Sequence, residues 1–155
     1  MRRSDREITD KSAIEEFIAG EKIIRIGFCD NGEVYIVPVN YGYTMNDGSY
    51  TFYFHGAAAG RKFDLAASSP DVGFEIDGRY KLIEADKACG HSANYQSVIG
   101  SGVLSIISDK AEKISALNSI MKQSTGKADW EYPDSALEKT AVYRLEVKKM
   151  TCKAR

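Results

Sequence analysis

At 155 residues, with 43% apolar and 28% charged residues and only 3 prolines, the chain has the make-up of one soluble globular domain. A net charge of −1 supplies no basic face for nucleic acid, and no apolar run approaches the roughly 18 residues of a membrane-crossing helix. The opening Met1-Arg2-Arg3-Ser4-Asp5-Arg6-Glu7 is too polar for a secretory signal, and Cys29, Cys89 and Cys152 are odd in number and widely spaced, as in a reduced cytoplasmic protein.

In chain order, Thr9 or Asp10 caps a short helix through about Ala19, with Ile14, Phe17 and Ile18 on one face and Gly20 as its stop. Lys22 to Cys29 alternates as a strand, and Asp30-Asn31-Gly32 turns it into a returning strand, Glu33 to Tyr43. Asn46-Asp47-Gly48 is a second turn, feeding Ser49 to His55. A helix from Gly60 to Ser68 follows, ended by Ser69-Pro70. Val72 to Ile76 and Arg79 to Ala85 read as a hairpin about Asp77-Gly78. Tyr95 to Ile107 is a long β-branched strand in which Gly100 and Gly102 mark a bulge or corner.

From Asp109 to Gln123 the period turns helical, with Ile114, Leu117, Ile120 and Met121 on one face. A polar loop through Trp130 and Pro133 then leads to a last strand, Ala141 to Lys149. Strands joined by tight turns predict a mainly β fold with helices: an antiparallel barrel of six or seven strands, helices outside, one domain over 1–155.

Three places carry chemistry. The strand Phe52-Tyr53-Phe54-His55 breaks into Gly56-Ala57-Ala58-Ala59 and opens a helix at Gly60-Arg61-Lys62. A helix start offers unpaired amides and partial positive charge to an anion, and two cations there fit a phosphate held between them. The plain alternative is a hairpin-to-helix junction with two solvated bases. Pro38-Val39-Asn40-Tyr41 interrupts a strand with a residue that cannot donate to the ladder, so the segment belongs at an edge or bulge. His55 borders the anion turn, as a hydrogen-bonding residue or a proton carrier.

Other candidates are weaker. Ser97, ahead of Val98, is a strand serine or a hydroxyl donor. Cys89 and His91 share a small-residue loop with no third partner, and Trp130 is a packing anchor or an aromatic wall. With His55 and His91 as its only histidines, the chain gives a metal site little support.

The ordered set Arg25-Ile26-Gly27-Phe28, Tyr35-Ile36-Val37-Pro38-Val39-Asn40-Tyr41, Phe52-Tyr53-Phe54-His55-Gly56-Ala57, Gly60-Arg61-Lys62, Tyr95-x-Ser97-Val98-Ile99-Gly100 and Cys152-Lys153-Ala154-Arg155 resembles the FMN-binding split-barrel superfamily related to pyridoxamine 5′-phosphate oxidase. Within it the likeness is to the nitroimidazole-resistance (Nim-type) proteins. That resemblance implies a split barrel that forms a homodimer, with FMN (or FAD) in clefts between the subunits. It implies the phosphate at the Gly60, Arg61 and Lys62 turn, to which Ser97, beside Val98, could add a hydroxyl donor for phosphate or ribityl. The polar edge of the flavin ring would lie along the backbone of Pro38, Val39, Asn40 and Tyr41. His55 would sit near flavin or substrate, while Trp130 stays open between a packing anchor and an aromatic wall over the partner's flavin. The implied activity is flavin-dependent reduction of small molecules, nitro compounds among them. NAD(P)H would donate electrons without a Gly-x-Gly-x-x-Gly pocket. A non-catalytic flavin or haem binder and a pyridoxamine phosphate oxidase are the alternatives.

Overall fold

A computed structural model describes residues 3–155; Met1 and Arg2 lie outside the described residues. The described strands are β1 (Glu7–Ile8), β2 (Ile23–Asp30), β3 (Glu33–Asn40), β4 (Gly42–Asn46), β5 (Ser49–Ala57), β6 (Asp71–Ile83), β7 (Ser92–Ile106) and β8 (Thr140–Ala154). The described helices are α1 (Lys11–Gly20), α2 (Arg61–Ser68), α3 (Lys110–Thr125) and α4 (Asp134–Lys139). All pairings are antiparallel, in the order β3-β2-β6-β7-β8-β5-β4, with β1 added to β8. The two outermost strands, β3 and β4, are consecutive in the chain and meet at Tyr41. That corner curls the sheet into a split barrel.

Local chemistry explains the turns. Asn31 and Gly32, and again Asp47 and Gly48, take positive φ, which two-residue hairpins need to match the twist of their strands. The Asp10 carboxylate accepts from the Ser12 amide and Asp109 from that of Glu112, capping α1 and α3. The inward residues Ile24, Ile26, Phe28, Phe52, Phe54, Phe74, Ile76, Val98 and Leu145 are almost fully buried and form the barrel core. Phe17 and Ile18 of α1 plug it. At roughly 1.5–3 kcal/mol per buried large apolar side chain, this core dominates stability. A second cluster, Ile107, Ala116, Leu117, Ile120, Leu137 and Val142, seats α3 and α4 on the outside of the sheet. In α3 it is Ala116, rather than Met121, that joins Leu117 and Ile120 there.

Three expectations change. The strand expected over Glu33 to Tyr43 is two strands, because Tyr41 turns inward and its hydroxyl donates to the Ile18 carbonyl at 2.5 Å. Asp77-Gly78 is not a hairpin turn: β6 runs through it to Ile83, with a bulge between Gly78 and Lys81. The one positive φ there, at Arg79, falls inside that bulge, and β7 pairs with β6 on both sides of it, so the chain continues instead of reversing. The short β1 and α4 add to the expected elements, giving eight described strands rather than six or seven. The bulge foreseen near Gly100 and Gly102 is present as a register shift against β8, between Ser101 and Gly102.

Candidate functional site

The start of α2, at the barrel rim, leaves backbone donors without acceptors. Gly60 is the residue before the first turn, with φ 98°, a conformation that suits glycine, and no side chain caps the helix. The Gly60 carbonyl accepts from the Phe63 and Asp64 amides at 2.8 and 3.1 Å. The amides of Arg61 and Lys62, ahead of the first intrahelical bond, find no acceptor among the described residues.

The two cations of that turn part company. Arg61 swings to the β2–β3 hairpin, donating to Asp30 at 2.9 Å and to Glu33 at 2.8 Å, with its guanidinium 4.5 Å over the Tyr35 ring. Lys62 folds the other way. Its amine donates to the His55 carbonyl at 3.2 Å and lies 5.2 and 5.7 Å over the Tyr143 and Phe54 rings. Burial lowers its pKa, and among the described residues no carboxylate pairs with it. A Cβ at Gly56 would occupy the space the Lys62 amine takes, so this glycine makes room for the lysine. Beneath lies Tyr143, fully buried and stacked on Phe54 at 4.9 Å. Its hydroxyl has no partner, and its pKa is pushed up to about 12 by burial and then by Asp64.

His55 meets this cluster only through its carbonyl. Strand alternation puts its imidazole on the outer face with Tyr53 and Val142, while Lys62 covers the inner-face rings. Surrounding protein and then the Lys62 charge lower its pKa, so the ring is neutral near pH 7.

The remaining candidates lie elsewhere. Pro38 faces Arg25 on the edge strand β3, where a missing donor costs nothing. Asn40 donates to the Lys22 carbonyl at 3.2 Å, and Val39 leans on the core. Tyr41 is wholly buried, so only its backbone is available to a ligand. Val98 is core. Ser97 is buried with an unpartnered hydroxyl, in register with Asp77 and Lys153. Ser97 pairs Lys153 at one end of the β7–β8 ladder and Ile106 pairs Tyr143 at the other. About 30 Å of strand separates them at about 3.3 Å per residue. One protomer therefore holds the candidates in two groups, with Gly60, Arg61, Lys62 and His55 at one end and Pro38, Asn40 and Ser97 toward the other.

Trp130 is a third place, its indole N–H donating to the Lys127 carbonyl at 3.0 Å and its ring partly exposed. Cys89 is exposed, and the His91 ring meets the Lys87 carbonyl at 3.1 Å. Among the described residues no cluster of His, Cys, Asp and Glu is arranged to hold a metal. Sequence reasoning missed Gly56 and Tyr143. The small residue after His55 was a visible signal for the first; nothing local marks the second.

Residues 10–154 match the sequence profile of the pyridoxamine 5′-phosphate oxidase family. The structure of a candidate 5-nitroimidazole antibiotic resistance protein from Bacteroides thetaiotaomicron is similar at 30% identity and TM-score 0.82, over 96% of this chain and 86% of that one. The flavocytochrome Anf3 from Azotobacter vinelandii is similar at 23% identity and TM-score 0.79, over 100% and 72%. An FAD and heme binding protein from Mycobacterium smegmatis is similar at 14% identity and TM-score 0.81, over 96% and 73%. The last two likenesses speak for the fold alone. No curated protein matches the sequence.

Proposed function

We propose that this chain, which belongs to the pyridoxamine 5′-phosphate oxidase family, binds a flavin, FMN before FAD, and acts as a reductase of small molecules, nitro compounds among them. The observation that carries this reading is the donor set at the start of α2: two amides without acceptors beside a lysine without a carboxylate. An anion completes that set, and a phosphate ester suits it by charge and by number of acceptors. A bound flavin would accept electrons from NAD(P)H and pass them to the substrate. Lys62 and the Arg61 and Lys62 amides would hold its phosphate. Arg61, held by Asp30 and Glu33, would fix α2 against the β2–β3 hairpin. The β3 edge from Pro38 to Tyr41 would offer backbone groups to the ring. His55, neutral at pH 7, can donate or accept one hydrogen bond at its outer face.

The exposed Val34, Ile36 and Ile99 on the outer face of the sheet support a homodimer with flavin between the subunits, and the three unpaired cysteines favour a reducing, cytoplasmic setting. Among the described residues no helix is long and apolar enough to cross a membrane. A pyridoxamine phosphate oxidase would need cations for a second phosphate. Arg25 is taken by Glu75 and Asp77, and Arg79 by Glu16. A non-catalytic flavin or haem binder, which would use the same donor set at the start of α2, is the second reading.

Titrating purified chain with FMN, FAD and riboflavin tests the flavin reading. A shifted flavin spectrum and a raised Tm, strongest for a phosphorylated flavin, support it, and neither effect with any of the three sinks it. Anaerobic NAD(P)H then separates reductase from binder: bleaching, reversed by a nitroaromatic, is the reductase result.

A further inference from the structure

Sulfur gathers at one place in this chain. Of its seven sulfur-bearing side chains, 3 cysteines and 4 methionines, Met1 lies outside the described residues, and three of the other six line a single pocket. Met45, Met150 and Cys152 border an open pocket of about 280 Å³, where the β4–β5 hairpin, the start of α1 and the β1–β8 pair come together. Strand geometry brings them there. Met150 and Cys152 are two residues apart on β8 and share its inner face, where both pack with the barrel core. Ile8 lies directly opposite Cys152, and Met45, on the outermost strand β4, directly opposite Tyr50. Burial is graded along the pocket: Cys152 is 2% exposed at its floor and Met45 36% exposed at its mouth.

The floor also carries a polar group that packing alone does not need. Gln96 is buried, and its side-chain amide donates to the Cys152 sulfur at 3.7 Å. A neutral thiol is a weak acceptor for a buried amide, whereas a thiolate is a strong one. Side chains that bind metals are held in place by outer hydrogen bonds of this kind. The donor set and its surroundings then select the ion. Thiolate and thioether sulfurs are soft ligands, which favour Cu(I). One thiolate and a monovalent ion sum to zero charge, which suits walls made by Ile8, Ile14 and Tyr50. A divalent ion would leave a positive charge out of water. The two charged side chains that line the pocket, Glu7 and Lys11, are exposed and opposite in sign.

We propose that this pocket binds one Cu(I) ion through the Cys152 thiolate and the Met45 and Met150 thioethers, with Gln96 positioning the thiolate. Binding exchanges a proton for the metal: the S–H bond breaks, a sulfur–copper bond forms, and the proton leaves to solvent with no change of oxidation state. Met45, at the mouth, is the first sulfur an entering ion meets. The three rotatable bonds of each methionine let its sulfur close on the ion. Cys152 adjoins Lys153, at the end of the β7–β8 ladder remote from Tyr143, so this site is separate from the anion turn at Lys62.

The test uses the chain carrying Cys29→Ser and Cys89→Ser, which removes the two exposed thiols and leaves Cys152. Cu(I) is titrated anaerobically in competition with the chromogenic chelator bicinchoninate. The expected result is one equivalent withheld from the chelator per chain, with only sulfur neighbours around copper in X-ray absorption. Cys152→Ala should abolish it. Outer hydrogen-bond partners of a metal ligand are worth about 10–100-fold in affinity, and a direct ligand should matter at least as much. Met45→Leu and Met150→Leu, which keep apolar volume and so keep the fold, should therefore each weaken binding roughly tenfold or more. These two variants decide the matter even where Cys152→Ala fails to fold. No Cu(I) withheld, or a chain that holds it as tightly with both methionines replaced, would overturn the proposal.

Discussion

The outer surface of the sheet has two halves, and each contains glycines with opposite reasons for being there. Under α3, a Cβ at Gly42 would run into the backbone of Ser119 and Ile120, so that glycine is there for the chain's own packing. On the bare half, Gly27 and Gly73 leave space that nothing fills. The rim cations divide in the same way. Arg61 is accounted for by Asp30, Glu33 and Tyr35, whereas the Lys62 charge has no counter-ion among the described residues. What a folded chain does not use internally is where a ligand or a partner belongs.

The largest effect should come from the covered half. Gly42→Ala drives a methyl into helix backbone that cannot rotate aside, and it should cost about 3 kcal/mol, at the upper end of overpacking penalties. Urea denaturation measures it. A Gly42→Ala protein as stable as wild type would mean that α3 rides loosely on β4, and the contrast with Gly73 would collapse.

Next in size is the split between the two cations. Lys62→Ala should weaken FMN binding by about 1.5–3 kcal/mol, the worth of a charge-assisted hydrogen bond, and should leave riboflavin binding nearly unchanged. Arg61→Ala should lower affinity for both flavins alike and modestly, because its partners are protein carboxylates. Calorimetry with the two ligands decides. If Arg61→Ala selectively costs FMN affinity, the guanidinium leaves Asp30 and Glu33 for the phosphate.

A smaller effect concerns Tyr143. Its buried hydroxyl has no partner, so Tyr143→Phe removes a desolvated group without breaking a bond. Stability should be unchanged or up to about 1 kcal/mol higher. A clear loss of stability would point to a hydrogen bond made in solution.

Sequence read the strands, caps and glycine turns well where the signal is local, as at Asp10, Asn31-Gly32 and Asp109. It failed where pairing decides: Asp77-Gly78 has the composition of a reversal, yet β7 holds β6 straight through it. It also failed where distant residues meet. Nothing near Arg61 announces that Asp30 and Glu33 will take its charge, or that Tyr41, read for its backbone, fixes the barrel corner through its side chain. Isolated candidates were legible; their grouping at two ends of the barrel depends on register and was not.

The least effect is expected at His55, which has its carbonyl at the cluster and its ring outside it. Its folded pKa lies below the ordinary 6.5, so the unfolded chain binds more protons between those two values. The stability tied to a neutral imidazole is therefore complete above about pH 6.5 and fades as pH falls toward the folded pKa. His55→Gln should flatten that acid limb in a series of melts. In turnover, a glutamine that can still donate and accept should keep most of the rate, because protons for flavin chemistry can come from water. A general acid would instead lose roughly 10²–10⁴-fold with flavin affinity intact. A loss beyond about 10²-fold, together with disappearance of the acid limb of the pH–rate profile, would move His55 from bystander to proton donor. The ring would then have to reach substrate from the outer face, beside Tyr53 and Val142.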